Sequence, residues 1–514
     1  MTRNIVRVLV VSILVAVSVT GTMIASEKLK NTDSETAVAL RIEFSRAVRI
    51  VSHGREFQTQ EPSGRATVFM FSNGSVRPRR TFELEWSPSS ARILSIEWLS
   101  ETDMIPPEPT LAIVQSATYG KAPFSVSFEA VLENADSAGT RFEWDFGDGS
   151  SAAGQGVNHS YGVMGVYQVA LTAYPSGDNA VVASALITVS PLYVNPKTGD
   201  DSLADGTIER PFRTITTAVT HAATGQALLL APGVYNAASG EDASVELPGA
   251  IHIVGSGGSP DDVKVIGDIY SRYNTVISNI HAFGQLGFTF REENPEHSAQ
   301  PTVLGSWFTD SAGQKEGIVL NDYVASRVLL IKDCTFIGHH QAILIWRGEV
   351  AIEDCEFSEV DYGIAATAKA NVTVVSSLIH DSSTAIWVVH GGRAVIRQCQ
   401  LINNSTAVLI SGESRGEVTI EACTISSNYY GVSLDSSAIV DLGGGPFGSA
   451  GGNTFAGNQK YNIKDSRPPY SGDLYAMGNG WGSSAVKRLE GPAIYYNQER
   501  CYIENEGNSI IFLD

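Results

Sequence analysis

Residues 331–343, IKDCTFIGHHQAI, decide the fold, because residues 352–364 repeat their pattern as IEDCEFSEVDYGI. Five such copies run between residues 329 and 435, each centred on one small residue. These anchors, spaced 21, 22, 22 and 24 residues apart, are Cys334, Cys355, Ser377, Cys399 and Cys423. Nine positions after each anchor stands a β-branched residue: Ile343, Ile364, Ile386, Val408 and Val432. Self-similarity with a period of about 20 residues indicates a solenoid.

Each copy, at about 22 residues, is too short for a strand and a helix and has room for three brief strands and their turns. Stacked coils of this kind pair in parallel about 4.8 Å apart, so equivalent side chains form ladders inside. The leucine and asparagine consensus of a leucine-rich repeat is absent. The pattern therefore predicts an all-β chain dominated by a parallel β-helix. A Gly-rich insertion at 443–452 precedes a further coil around 453–463.

The cysteine anchors are predicted to be a buried, reduced ladder, because cysteine is a small residue that is easily buried. Neighbours such as Cys334 and Cys355 come near disulfide reach, which leaves a bridge as the alternative. A metal site is not expected, since thiols that point into the core have no histidine partners there.

The segment that leads into the repeat, from about residue 192, resembles the start of a known protein family. After Tyr193-Val194-Asn195-Pro196 comes RPFRTI at 210–215, then apolar residues at helical spacing up to Ala222, then ALLLAPGVY at 227–235. This opening resembles the DUF1565 segment that begins many right-handed β-helix proteins of the pectin-lyase-like class. The resemblance implies a right-handed parallel β-helix over 192–514, with an N-terminal helix that plugs its open end.

The segment 108–191 contains FEWDFGDGS at 142–150 and an alternating strand at 165–172. Asp145 and Asp148 are expected to accept backbone N–H bonds in a tight turn, where Gly147 and Gly149 supply positive φ. A cation site at the two aspartates is the alternative. The segment resembles the PKD domain, an immunoglobulin-like β-sandwich that usually acts as a spacer or a weak interaction module.

Two further segments precede it. In residues 1–26, Arg3 and Arg7 stand before an apolar run at 8–19, which predicts an export signal or, if uncleaved, an N-terminal anchor. Residues 35–105 alternate apolar and polar side chains between Gly and Pro clusters, which predicts a small antiparallel β domain.

The composition narrows the partners. The 514 residues carry a net charge of −20 and only 18% charged residues. A negative chain without clustered Lys and Arg is a poor ligand for nucleic acid or an anionic membrane surface. Together with the export signal, this predicts a secreted or cell-surface protein whose partner is a polysaccharide or another cell-envelope component.

Two carboxylates are candidate catalytic residues. Glu359 and Asp381 each stand four positions after their anchors, in adjacent coils, so their backbones are expected about 5 Å apart. Retaining glycosidases place their carboxyl pair at about this separation. The alternative is a column of polar turn residues that continues through Asn403 and Ser427 and caps the turn backbone.

A second candidate set combines cations and aromatic rings. Arg347 and His390 stand thirteen positions after their anchors, two coils apart, and Arg393 follows shortly after. Trp346 and Trp387 lie nearby and are candidate binding residues. An arginine and a histidine beside tryptophans suit an acidic sugar whose proton is abstracted, which is polysaccharide-lyase chemistry. The alternative is that all five are ordinary surface or packing residues.

The sequence therefore predicts an exported, non-catalytic protein whose β-helix presents a face to glycans or cell-envelope partners. The alternative is a polysaccharide-active enzyme, more readily a lyase than a hydrolase. No cofactor is expected, and no motif supports a Ca²⁺ site.

Overall fold

The structure is a computed structural model. It describes residues 109–480 and, before and after them, the backbone of separate strands between residues 4 and 99 and of Cys501–Asn505. Within 109–480 the description omits 136, 138, 176–179, 291–299, 311, 324–326, 413–415, 436–438 and 466–473.

The N-terminal segments form strands where they are described. Asn4–Val6 and Met23–Ser26 fall within the predicted export segment, whose apolar run at 8–19 lies outside the described residues. Antiparallel pairing occurs in the segment 35–105, as its alternation predicts. Its strands are Ala39–Phe44, Arg49–Ser52, Arg55–Gln58, Arg65–Phe69, Thr81–Ser87 and Ile93–Leu99. In the described part of the chain, no helix has both the length and the apolar character to cross a membrane.

The second region is a β-sandwich. One sheet contains Tyr119–Gly120, Arg141–Asp145, Ser151–Ala153, Gly165–Tyr174 and Val181–Val189, and the other contains Thr110–Gln115, Phe124–Glu133 and Gly156–Tyr161. Phe128 packs against Trp144 and Phe146 in its core. The predicted turn capping is confirmed: Asp145 accepts the Gly147 N–H at 2.9 Å and Asp148 accepts the Ser150 N–H at 3.0 Å. Gly147 and Gly149 have φ of 77° and 88°.

The third region is a parallel β-solenoid, which confirms the predicted fold. Each central coil contributes a short strand just after its anchor (sheet 1), a strand after the next turn (sheet 2) and a strand before the following anchor (sheet 3). Two strands, Gln341–Glu353 and Tyr362–Val375, run through the corner and join sheets 2 and 3 into one 21-stranded sheet.

The remaining bounds follow the chain within each sheet. Sheet 1 contains Gly233–Tyr235, Val263–Val265, His281–Ala282, Trp307–Thr309, Thr335–Ile337, Glu356–Ser358, Leu378–His380, Gln400–Ile402, Thr424–Ser426 and Thr454–Ala456. Sheet 2 adds Ser244–Leu247, Asp268–Ser271, Leu286–Phe290, Glu316–Asp322, Thr384–Val389, Thr406–Ser411, Tyr430–Leu434 and Tyr461–Asp465. Sheet 3 adds Leu192–Val194, Ala227–Leu230, His252–Gly255, Val276–Ser278, Thr302–Leu304, Val328–Lys332, Arg393–Arg397, Glu417–Glu421, Ile439–Asp441, Leu474–Asn479 and Cys501–Asn505.

The anchors form one buried column. The cysteines of this column, Cys334, Cys355, Cys399 and Cys423, are buried and form no disulfide bonds, which confirms the predicted reduced ladder. Burial raises the pKa of the Cys355 thiol, so this group stays protonated in the core. After Cys423 the column continues with an asparagine: Asn453 Oδ1 accepts the Cys423 N–H at 2.9 Å.

Two further ladders hold the interior. Phe336 lies between Phe308 and Phe357, with ring centroids 4.8 Å apart on each side and nearly parallel planes. One turn away, Asn428 Nδ2 donates to Asn458 Oδ1 at 3.1 Å, and Asn404 Nδ2 donates to Asn428 Oδ1 at the same distance. Stacked amides of this kind satisfy the buried turn N–H groups of Ser382, Asn404 and Asn428.

The predicted plug is present as the helix Ile215–His221. Ile215, Ala218 and Val219 are buried in the same apolar core as the coils, so the helix covers the N-terminal end of the solenoid. Its first N–H groups donate to the buried Glu241 carboxylate, from Ile215 at 2.7 Å and from Thr216 at 2.8 Å. Single 3-10 turns occur at Ala237–Ser239 and Pro260–Asp262.

Candidate functional site

Aromatic side chains gather on the outer side of sheet 2. The strand register aligns Tyr362, Thr384, Thr406 and Tyr430 in one column, where Thr384 is buried and the other three are partly exposed. Trp387 belongs to the next outward column, aligned with Ala365 and Leu409. We call five residues of this surface the aromatic face: Trp346, Tyr362, Trp387, Tyr429 and Tyr430.

The first part of the aromatic face is a stacked pair. The rings of Tyr362 and Trp387 lie 4.7 Å apart at 30°. Trp387 Nε1 donates to Ser411 Oγ at 2.8 Å, which fixes the indole plane. Trp346 follows the buried Ile345 and is 53% exposed, so its indole faces outward from the same sheet. The rings of Tyr362 and Trp387 are therefore oriented before any ligand arrives.

The second part surrounds a lysine. Tyr429 and Tyr430 pack edge to face at 4.7 Å, and Tyr430 stacks on Tyr461 at 5.9 Å. Lys460 Nζ lies between 5.4 and 5.9 Å from the three ring centroids. Its hydrogen bond to the Tyr430 hydroxyl raises the pKa of Lys460. This end of the face thus combines apolar rings with a positive charge.

Small side chains separate the two parts. Tyr362 and Tyr430 are three coils apart in one column, which corresponds to about 14 Å at the usual strand spacing. Between them stand Thr384 and Thr406. The result is a flat strip with an aromatic group at each end, whose length suits an extended ligand rather than a single small molecule.

The cationic candidates are spread over several elements. Arg347 lies over the Tyr323 ring at 4.4 Å and aligns with Lys369 near the end of sheet 2. Arg393 stands in sheet 3, where its Nε donates to Glu417 at 2.9 Å. His390 is exposed in the turn between these sheets, with φ of 53°. Their joint role in lyase chemistry stays a prediction.

The carboxylate candidates occupy a turn column. Glu359 and Asp381 directly follow Ser358 and His380, which are aligned in sheet 1. Both have positive φ, 56° and 51°, and equivalent positions in other coils do too: Gly338, Asn403, Ser427 and Gly457. The column therefore turns the chain from sheet 1 toward sheet 2, and the two carboxylates stand in this turn, just before the sheet 2 strands.

One titratable cluster was missed by the sequence analysis. His380 Nδ1 lies 2.6 Å from Asp381 Oδ2, and its Nε2 lies 3.2 Å from Glu356 Oε1. The hydrogen bond to Asp381, helped by Glu356, raises the pKa of His380 above its usual value of 6.5. His380 in turn lowers the pKa of Asp381, with help from Asn403.

The His380 cluster makes a pH-dependent contribution to stability. Because the pKa of His380 is higher in the folded chain, its stabilisation is complete below about pH 6.5 and is lost as the pH rises through the folded value. We therefore expect His380→Gln to lower the melting temperature by on the order of 1–2 °C at about pH 5.5, and by less at about pH 9. Thermal unfolding of both proteins at the two pH values measures this, and equal differences at both would contradict it.

The register shows how the tyrosines of the aromatic face were overlooked. Tyr362 and Tyr430 both stand seven positions after an anchor, at Cys355 and Cys423, where the remaining copies have Gln341, Thr384 and Thr406. The same comparison of outward positions that selected Glu359 and Asp381 would have found them. Trp346 and Trp387, by contrast, were both selected from the sequence.

Family models match most of the described chain. One, described as a protein of unknown function (DUF1565), matches residues 197–486, which is more than half of the 514 residues. The chain belongs to the DUF1565 family. Ahead of this region, the PKD domain model matches residues 106–189 of the DUF1565 chain. Both resemblances drawn from the sequence are thereby confirmed.

No curated protein matches this DUF1565 chain. Among solved structures, it is similar to XylC in complex with xylose, with 12% identity, a TM-score of 0.38, and coverage of 58% of this chain and 76% of that one. It is also similar to the catalytic domain of a GH87 alpha-1,3-glucanase in complex with nigerose, with 11% identity, a TM-score of 0.29 and coverage of 89% of each chain. At these values the likeness carries no inference about ligands.

Proposed function

We propose that this DUF1565 protein binds an extracellular polysaccharide along the aromatic face. The observation that carries the proposal is the strip on sheet 2, where Tyr362, stacked on Trp387 of the next column, stands three coils from Tyr430 in its own column. A rigid parallel sheet holds these rings at fixed spacing, so little conformational entropy is lost when a chain-like ligand docks.

The chemistry of the strip suits sugars. Aromatic rings present a negative face on which the weakly positive C–H groups of a pyranose ring can stack. Thr406, half-buried in the same column as Tyr430, supplies a hydroxyl group for the sugar hydroxyls. Lys460 and Lys464 add positive charge at one end, with Lys464 Nζ 5.2 Å from the Tyr430 ring. The ligand class we infer is an extended, neutral to weakly acidic polysaccharide.

The setting we infer is outside the cytoplasm. PKD domains are typical of extracellular proteins, and such a domain directly precedes the solenoid in this chain. With the export segment predicted over residues 1–26, this supports a secreted or cell-surface location. A spacer ahead of a binding solenoid would hold the aromatic face away from the surface to which the chain is attached.

Substitution of single tryptophans tests the proposal. We expect Trp346→Ala and Trp387→Ala each to weaken binding to the best ligand of a polysaccharide panel by about tenfold, since one stacked ring contributes about 1 kcal/mol or more. Isothermal titration calorimetry with the full chain measures the change. Phe447→Ala is the matched control, because Phe447 is an exposed aromatic residue in the Gly-rich insertion, and it should bind as the wild type does.

Two results would count against the proposal. The first is wild-type affinity in both tryptophan variants, with their far-ultraviolet circular dichroism unchanged. The second is no binding by the wild type to any polysaccharide of the panel. The same incubations, read for unsaturated uronides, test the lyase alternative at Arg347 and His390.

A further inference from the structure

Three side chains on the outer side of sheet 1 form a hydrogen-bonded chain far along the sequence from the aromatic face. His281 Nδ1 lies 2.9 Å from Asp261 Oδ1, and His281 Nε2 lies 2.9 Å from Thr309 Oγ1. Asp261 comes from the 3-10 turn Pro260–Asp262, and the others come from sheet 1 strands of two successive coils. An acid, an imidazole and a hydroxyl are thus connected in the order used by hydroxyl nucleophiles.

The surroundings of His281 and Asp261 determine their protonation states. Burial lowers the pKa of His281, although the hydrogen bond to Asp261 opposes this, so the imidazole is neutral at pH 7. Lys264, whose Nζ is 2.9 Å from Asp261 Oδ1, lowers the pKa of Asp261 and keeps it ionised. These are the charged groups that act on the ring. An ionised Asp261 can only accept, so Nδ1 carries the proton and Nε2 accepts from the Thr309 hydroxyl.

The imidazole is held in place on its remaining sides. Its ring stacks on Phe283 at 4.2 Å and meets the edge of Trp307 at 5.6 Å. Trp307 is 37% exposed and lies two residues before Thr309 in the same strand. The buried ring therefore directs Nε2 at a hydroxyl that lies beside an exposed indole, where a ligand can be held against the apolar surface.

We propose that Thr309 is the nucleophile of an esterase site, with His281 as its base and Asp261 as the group that orients the base. Thr309 Oγ bonds to the carbonyl carbon of a short-chain carboxylic ester while its proton passes to His281 Nε2. The bond from that carbon to the alcohol oxygen then breaks, and His281 returns the proton to the departing alcohol. Water hydrolyses the acyl-threonine through the same base, releasing the acid and restoring the hydroxyl. This goes beyond the proposed binding and beyond the non-catalytic protein predicted from the sequence.

Covalent labelling tests the proposal on the full chain. A fluorophosphonate probe should phosphonylate Thr309, forming the O–P bond and releasing fluoride, and peptide mass spectrometry should locate the adduct there. Thr309→Val should abolish the label, whereas Thr309→Ser should retain it. Thr335→Val is the matched control, since Thr335 lies in the neighbouring sheet 1 strand, and it should be labelled like the wild type.

Turnover gives a second readout. Release of p-nitrophenol from p-nitrophenyl acetate should fall by about 100-fold or more in Thr309→Val and in His281→Gln. If the hydrogen bonds between Asp261, His281 and Thr309 were only structural, the substitutions would change thermal unfolding, but the wild type would form no adduct at Thr309. No adduct in the wild type, or an equal adduct yield in Thr309→Val, would overturn the proposal. Polysaccharide binding at the aromatic face is expected to survive all of these variants, so the two proposals fail separately.

Discussion

Asp441→Ala is expected to lower the free energy of unfolding around the Gly-rich insertion by about 3–5 kcal/mol, because it removes the acceptor of several buried donors. Asp441 is fully buried at the end of a sheet 3 strand. Its Oδ1 accepts the N–H groups of Gly443 at 3.1 Å and Gly445 at 3.0 Å. Its Oδ2 accepts those of Phe447 at 2.9 Å and Ser449 at 3.3 Å. The insertion is thus folded around one carboxylate.

Hydrogen exchange measured by mass spectrometry checks this result, since a solenoid opens locally and a single global value is poorly defined. The amides of residues 443–449 should lose protection in Asp441→Ala, and Asp441→Asn should lose part of it, because one acceptor oxygen remains. Asp435→Ala is the control: Asp435 forms an exposed ion pair with Lys464 at 3.5 Å, so its loss should cost less than about 1 kcal/mol. Unchanged protection in Asp441→Ala would contradict the assignment.

The second large effect is expected at the centre of the phenylalanine ladder. Phe336→Ala should destabilise the surrounding coils by about 3–5 kcal/mol, the usual cost of deleting a buried phenylalanine ring. Phe336 is fully buried and touches a parallel ring on either side, at Phe308 and Phe357. Its removal leaves a cavity that the rigid parallel strands cannot collapse to fill.

Local opening again gives the measurement. Exchange should accelerate in the strands Trp307–Thr309, Thr335–Ile337 and Glu356–Ser358, and much less in Thr424–Ser426, since each coil contacts its neighbours only. Phe336→Leu keeps most of the apolar volume and should cost about 1.5 kcal/mol or less. Equal acceleration throughout the solenoid would show that the coils do not open locally.

The sequence was sufficient for the fold because the repeat encodes an inside and an outside. Positions counted from Cys334, Cys355 and Cys399 identified which side chains are buried, and the structure places them there. The helix at 215 was equally readable, since its apolar spacing follows the helical period. In both cases the periodicity of apolar residues predicts which side chains are buried in the folded protein.

Contacts between residues that lie outside the regular repeat could not be predicted from the sequence. Asp261, His281 and Thr309 come from coils of unequal length, so their spacings of 20 and 28 residues match no repeat. Asp441 similarly precedes an insertion whose path is set by the carboxylate itself. Arg347 and His390 show a limit of counting from the anchors, because at the same distance Arg347 lies in a strand and His390 in a turn.

The most direct test of the central claim, that the aromatic face binds the polysaccharide, is to locate the bound ligand on the protein. Hydroxyl-radical footprinting of the full chain, with and without its best polysaccharide ligand, reports the exposure of each aromatic side chain. We expect protection at Trp346, Trp387, Tyr429 and Tyr430, and none at Trp307 or Phe447. Protection confined to Trp307 or Phe447, with the aromatic face oxidised equally in both samples, would contradict the claim.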